Sequence, residues 1–236
     1  MQFTGGKHYL KRKLQAAILG HTTRRGPYFE PFVGGANSFE VLAPHFSSSH
    51  ASDVHEDLIL LYKAVASGWE PPRSIDESTY QSLRRAAPSA LRAFAGFGVS
   101  FGGKWFGGYA KDDRRDGRRP YAERSSCNLV RIRNILVAAS ITCCSYDHVK
   151  PPPDSIVYCD PPYRGTLEYG GVEPFDSDKF WNVAREWAQG GVCVFVSEYT
   201  APTGWHSIMD HNALLHIKRT SSKRERRTER LFVYDP

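Results

Sequence analysis

The chain has 236 residues, 41% hydrophobic and 13% aromatic, which is enough to bury a sizeable core as one domain or as one domain carrying a smaller insertion. That composition excludes a disordered chain, and the absence of a long apolar run argues against a membrane-spanning helix. A net charge of +6 favours a polyanionic partner without demanding one. The basic segment from Met1 to Lys13 lacks the apolar stretch of a secretory signal. The five cysteines, Cys127, Cys143, Cys144, Cys159 and Cys193, have neither zinc-site nor disulfide spacing. Together these features point to a soluble, cytoplasmic protein without a metal.

The first predicted element is a helix over 9–19, with Leu10, Leu14, Ala17 and Ile18 at helical spacing. A buried strand over 27–32 then runs into Val33-Gly34-Gly35-Ala36-Asn37, and 38–42 is helical in character. The same order recurs: His50-Ala51-Ser52-Asp53 ends a short strand, and 56–66 reads as a helix with Leu58, Ile59, Leu61, Tyr62 and Val65 apolar. Such alternation predicts an α/β fold with a parallel sheet.

From Ser67 to Ala139 the texture changes to a mixture of glycine, arginine and aromatic residues, and we read 67–139 as an insertion. Within it, 78–87 and 128–140 are expected to be helices, with a glycine-rich loop between them. Alternation resumes with candidate strands over 141–146 and 155–159, a helix over 180–188, a fully buried strand over 192–196, and closing strands over 214–217 and 231–234. The residues flanking the insertion, 1–66 and 140–236, thus form one domain.

Three constellations carry chemistry. The Gly34-Gly35 turn between a strand and a helix is where a parallel sheet presents backbone N–H groups to a ligand. Asp53, at the end of the next strand, stands where an acid accepts hydrogen bonds from the ribose hydroxyls of a nucleoside cofactor, although by themselves the two features equally fit a plain αβ connection and a helix cap. The second constellation is Asp160-Pro161-Pro162-Tyr163, directly after an apolar strand. The exocyclic amino group of a nucleobase is a poor nucleophile, because its lone pair is delocalised into the ring. Two acceptors on its hydrogens free that lone pair, and Asp160 and the Pro161 carbonyl can supply both, with Pro161 and Pro162 fixing the backbone. Tyr163 offers a face for a flipped base, worth about 1–3 kcal/mol. The third is the loop from Phe101 to Tyr109, holding Lys104 and Trp105, together with Arg114, Arg115, Arg118, Arg119 and Arg124, a mixture suited to DNA contact. Asp112, Asp113, Asp116 and Glu123 could instead pair those arginines into a solvated loop, and the basic run from Lys218 to Arg230 admits the same two readings.

At these residues the sequence resembles the Dam-like (D12 class) DNA adenine-N6 methyltransferase family, motif by motif and in the same order. Phe3-Thr4-Gly5-Gly6-Lys7 is similar to the family's amino-terminal motif, and Phe29-Glu30-Pro31-Phe32-Val33-Gly34-Gly35 to its strand-and-glycine motif. Asp53 resembles its ribose-binding acid, Cys143-Cys144-Ser145-Tyr146 the strand lining its adenine pocket, and Asp160 to Tyr163 its catalytic motif. Thr228-Glu229-Arg230-Leu231 also has the look of the family's ending. The resemblance implies a Rossmann-like S-adenosylmethionine-dependent methyltransferase sheet with an inserted, mainly helical target-recognition region. It also implies S-adenosyl-L-methionine as cofactor, held by Phe3, Gly6, Lys7, Glu30, Phe32, Gly34, Gly35, Asp53, Tyr146 and Asp160. The expected activity is methylation of adenine N6 in double-stranded DNA by base flipping. Cytosine-N4 methylation, an RNA methyltransferase and a non-catalytic DNA-binding protein of the same fold are the alternatives. Two departures stand out: Ala36-Asn37 where the family often has a third glycine, and Val54-His55-Glu56 in place of an acid–x–Asn pattern.

Overall fold

The order of the strands, more than their number, locates the place where a ligand can enter. In the computed structural model, which describes residues 3, 6–111, 120–163, 175–214 and 226–234, seven strands form one sheet. They are β1 (Tyr28–Glu30), β2 (Ser49–Asp53), β3 (Ala139–Cys143), β4 (Ile156–Cys159), β5 (Cys193–Glu198), β6 (Trp205–Leu214) and β7 (Arg226–Tyr234), in the order β3-β2-β1-β4-β5-β7-β6. The first five pair in parallel, and β7 joins β5 and β6 antiparallel. The chain winds outward in one direction from β1 and in the other from β4. The carboxyl ends of these two neighbours therefore flank the crevice where open α/β sheets bind ligands. The expected α/β sheet is borne out.

Both faces of the sheet are covered, so β4 reads as a continuous apolar run, all four of its residues buried. Its alternation divides the core in two. Ile156 and Tyr158 pack with Phe195, Leu231 and Val233 under the helices α1 (Lys11–His21), α2 (Asn37–Leu42) and α3 (Glu56–Ala66). Val157 and Cys159 pack with Val194, Val196 and Phe232 under α7 (Ser177–Gln189). α7 begins where the Asp176 carboxylate accepts the Lys179 N–H at 2.9 Å, satisfying one of the orphan donors of its first turn.

The region between α3 and β3 is more helical than its composition predicts. It holds α4 (Glu77–Leu83), capped by Asp76, then α5 (Ala90–Ala93), which runs on into a π-helical turn over Phe94–Gly98, and finally α6 (Tyr121–Val137). The helix expected over 128–140 thus starts seven residues earlier and stops before Ala138. Its buried stripe is Ala122, Ser125, Ser126, Leu129, Ile132 and Leu136, so two serines hide the first half of the apolar pattern. Their hydroxyls are satisfied by the carbonyls of Gly98 and Pro71, each at 2.7 Å. Its last expected residues belong to β3, paired in register with β2 from Ser49↔Ala139 to Asp53↔Cys143. That pairing ends where β2 ends, so the strand expected over 141–146 closes at Cys143 and Tyr146 opens a 3-10 turn. The closing strand expected from Leu214 is also displaced: Leu214 ends β6, and 215–217 lie outside the described residues.

Candidate active site

Strand parity brings the site together. Asp160 continues the side of β4 occupied by Ile156 and Tyr158, and Glu229 continues the side of β7 occupied by Leu231 and Val233. Both carboxylates therefore rise on the face that α1 covers. Lys7 comes from the turn that leads into that helix, its carbonyl accepting the N–H groups of Leu10 and Lys11.

The Lys7 ammonium, 5% exposed, lies 2.9 Å from Asp160 Oδ1 and 2.8 Å from Glu229 Oε1. It also donates to the Tyr163 hydroxyl at 2.5 Å, and that hydroxyl donates to Glu229 Oε1 at 2.6 Å. An isolated buried ammonium would cost several kcal/mol. Burial pulls the Lys7 pKa down, but the Asp160 and Glu229 carboxylates outweigh it and leave it raised, so the group stays charged. Burial likewise pushes Asp160 up while Lys7 pulls it back. Tyr163 is pinned by Lys7, 4.5 Å from its ring centroid, and by the edge of Tyr199 at 4.7 Å. Pro161 is buried and Pro162 half-buried.

Beside this cluster, at the end of β1, the glycine turn is held at both its polar groups. Asp53 Oδ2 accepts the Gly34 N–H at 3.1 Å, and the Tyr62 hydroxyl donates to the Gly34 carbonyl at 2.5 Å. The other Asp53 oxygen accepts the His55 N–H at 3.0 Å. Gly34 has φ of +44°, and a Cβ at Gly35 would lie 2.8 Å from Phe3 Cβ and 2.9 Å from Asn37 Nδ2. Side chains are therefore excluded, and backbone is left facing the crevice. Gly6 packs against the same Asn37 amide. Ala36, where the family often has glycine, takes the left-handed conformation at φ 54°. Phe32 and Tyr146 stack at 5.4 Å between centroids, with Phe175 and Phe180 around them. A closely approachable turn, an acid at the next strand end and an aromatic wall fit a nucleoside-bearing cofactor.

The resemblance counts Glu30 among the residues that hold the cofactor. Glu30 lies beneath the site, 1% exposed, accepting the Tyr28 hydroxyl at 2.6 Å and the Ser38 hydroxyl at 2.5 Å. Burial pushes its pKa up to about 8 despite those hydrogen bonds. Glu229, which the sequence left without a role, completes the cluster around Lys7. Its signal was present, since it shares parity with the core residues Leu231 and Val233, but the basic run before it masked the strand.

Before α6, backbone bonds from Phe101 N to Gly108 O and from Ala110 N to Val99 O close a short hairpin with a Ser100–Tyr109 bridge. Phe101, 70% exposed, and Lys104 lie on its open side. Trp105 turns inward, against His55 at 4.4 Å and Phe97 at 4.7 Å, and Phe97 in turn contacts Phe3 at 4.8 Å. This aromatic seam ties the segment around Trp105 to His55 and Phe3, and the Trp105 ring stays half-buried. The Arg124 guanidinium lies 4.5 Å from the Tyr121 ring centroid on α6. Arg114, Arg115, Arg118 and Arg119 lie outside the described residues, as do Thr4, Gly5 and 215–225. Among the described residues no group of His, Cys, Asp and Glu could hold a metal ion, and no helix is long and apolar enough to cross a membrane.

Residues 3–89 match the family model of the D12 class N6 adenine-specific DNA methyltransferases. The resemblance read from Lys7, the glycine turn and Asp53 is thus borne out, while Asp160 to Tyr163 lie beyond the matched segment. The type II methyltransferase M.CviBI of Paramecium bursaria Chlorella virus NC1A is 28% identical over 160 residues, 61% of this chain and 62% of that protein. The chain therefore spans less than two thirds of that relative's length. Among solved structures, the Escherichia coli protein yhhF, described as a methyltransferase, has 13% identity and a TM-score of 0.40 over 95% of this chain and 84% of its own. SMU.472, described as a methyltransferase and solved with SAH, has 11% identity and a TM-score of 0.34 over 97% and 53%.

Proposed function

We propose, for a chain that carries the D12 class N6 adenine-specific DNA methyltransferase signature over residues 3–89, methyl transfer from S-adenosylmethionine to adenine N6 in double-stranded DNA. The observation that carries this reading is the meeting of Asp160, Lys7 and Tyr163 at the carboxyl end of β4, beside the glycine turn that follows β1. S-adenosylmethionine, when bound, supplies a methyl group already activated on a sulfonium. Phe3, Gly6, Gly34, Gly35, Asp53, Phe32 and Tyr146 would hold it.

The chain's own part is to make the amino group reactive. Asp160 and the Pro161 carbonyl accept its two hydrogens, pulling nitrogen toward tetrahedral geometry and releasing the lone pair. As the new N–C bond forms, the methyl–sulfur bond of the sulfonium would break to leave a neutral thioether. The nitrogen gains positive charge, which the Asp160 carboxylate stabilises without reorganising until the nitrogen loses one of its protons to solvent. Lys7 fixes that carboxylate through Oδ1. The base reaches the site by flipping, at a cost of a few kcal/mol, and stacks near Tyr163. Residues 67–139 serve as the target-recognition region, with Lys104, Trp105, Arg114, Arg115, Arg118, Arg119 and Arg124 as its candidate DNA contacts.

The test is transfer of labelled methyl to unmodified genomic DNA, followed by digestion and mass identification of the nucleoside. N6-methyladenine is expected. N4-methylcytosine would transfer the same amino chemistry to the other base. Cofactor binding without transfer to DNA would move the substrate to RNA, and absence of both would leave a non-catalytic DNA-binding protein.

A further inference from the structure

We infer that Glu229 is a positioning residue for methyl transfer at Asp160, acting through Lys7 and Tyr163; the inference rests on the adenine-N6 reading above. Three side chains converge on its two oxygens. Lys7 Nζ lies at 2.8 Å and the Tyr163 hydroxyl at 2.6 Å from Oε1, and the Tyr9 hydroxyl lies 3.1 Å from Oε2. Glu229 is 4% exposed, and a carboxylate there persists as a charge only where partners replace water. Burial works against it, but Lys7 and the hydrogen bonds hold its pKa below 4.5, so it is ionised at neutral pH.

Two consequences reach the reacting atoms. Lys7 stands 2.9 Å from Asp160 and 2.8 Å from Glu229, so its charge is shared rather than spent on Asp160 alone. Asp160 keeps more of its acceptor strength for an amino group. Asp160, Glu229 and Lys7 together sum to one negative charge, the sign that stabilises a nitrogen becoming cationic. The second consequence concerns the ring of Tyr163. Its hydroxyl is anchored on Glu229, the Lys7 ammonium stands 4.5 Å from its centroid, and Tyr199 meets it at 73°. Swinging the side chain away would break a hydrogen bond to a buried charge, and turning the ring about its own axis would meet Lys7 and Tyr199. One side chain on the last strand thereby sets both the hydrogen-bond acceptor and the stacking surface.

The test compares full-length wild type, Glu229→Gln and Glu229→Asp in cofactor binding, KM for DNA, and kcat across pH. The acid limb of kcat reports the carboxylate that must be ionised to accept the amino hydrogens. Glu229→Gln is expected to bind cofactor as wild type does and to lose roughly 10- to 100-fold in kcat. Its acid limb moves to lower pH, because removing a negative neighbour makes Asp160 easier to ionise. Glu229→Asp keeps the charge and the wild-type limb but loses kcat, since the shorter side chain cannot hold Lys7 and Tyr163 together. Wild-type kcat or an unmoved acid limb in Glu229→Gln overturns the inference and leaves the adenine-N6 reading standing. If Glu229→Gln does not fold, Glu229→Asp decides, and wild-type kcat there overturns it. Failure of the wild type to methylate adenine overturns the reading, and the inference with it.

Discussion

Glu30 and Glu229 are the same side chain at nearly the same burial, 1% and 4% exposed, and each accepts a tyrosine hydroxyl at 2.6 Å. They differ in whether a cation stands among their partners. The second partner of Glu30 is the Ser38 hydroxyl, and burial drives its pKa to about 8, so it is largely protonated at neutral pH. For Glu229 burial pushes the same way, yet the Lys7 ammonium at 2.8 Å holds it below 4.5. The contrast shows what separates a buried acid that supports a fold from one that serves a site. Hydroxyls satisfy a carboxyl without paying for its charge, whereas an ammonium keeps it ionised. The acid of this pair that stays charged is therefore the one beside Lys7.

Lys7→Met should break the comparison most forcefully. It leaves Asp160 and Glu229 buried together without a cation, and a loss of about 3–5 kcal/mol is expected in urea unfolding at neutral pH. A loss below about 1 kcal/mol would mean that the cluster is solvated like a surface pair. The next effect is in the pH dependence of stability. The folded pKa of Glu30 is raised from 4.5 to about 8, so its contribution is full below 4.5 and is lost as pH rises to about 8. That of Glu229 is lowered, so its contribution is present above 4.5 and is lost as the solution is acidified below that value. Thermal midpoints of Glu30→Gln should flatten in the first window and leave the acid side unchanged, and the opposite pattern would invert the assignment. The smallest effect is expected from Ala36→Gly, in the turn that carries Ser38 to Glu30. It relieves a left-handed alanine but adds chain entropy, so the change should stay within about 1 kcal/mol of wild type.

The parts of the molecule that sequence made legible are those where one physical signal dominates. β4 is apolar on both faces and ends abruptly at Asp160, and α3 has an uninterrupted helical period, so both were placed to within a residue. α6 was half seen because Ser125 and Ser126 occupy its buried stripe, and no hydrophobic period registers a serine that hydrogen-bonds a distant carbonyl. The basic neighbours of Trp105 point to DNA and say nothing of its packing on His55 and Phe97, which depends on a fold that brings residues 55 and 105 together. The motif that holds Glu30 records that a residue recurs and not that its carboxyl sits between the Tyr28 and Ser38 hydroxyls. Glu229 needed the antiparallel return of β7 beside β5, a pairing across the sheet that the local pattern does not encode.

The most direct test of the account sets the two strand ends against each other: single-turnover methyl transfer to DNA adenine by wild type, Asp160→Ala and Glu30→Gln, with cofactor affinity measured on each. Asp160→Ala is expected to bind cofactor and transfer nothing. Glu30→Gln, which replaces a protonated carboxyl by an amide of the same shape, is expected to stay within a few-fold of wild type in both. Transfer by Asp160→Ala at the wild-type rate would contradict the account, as would its loss in Glu30→Gln.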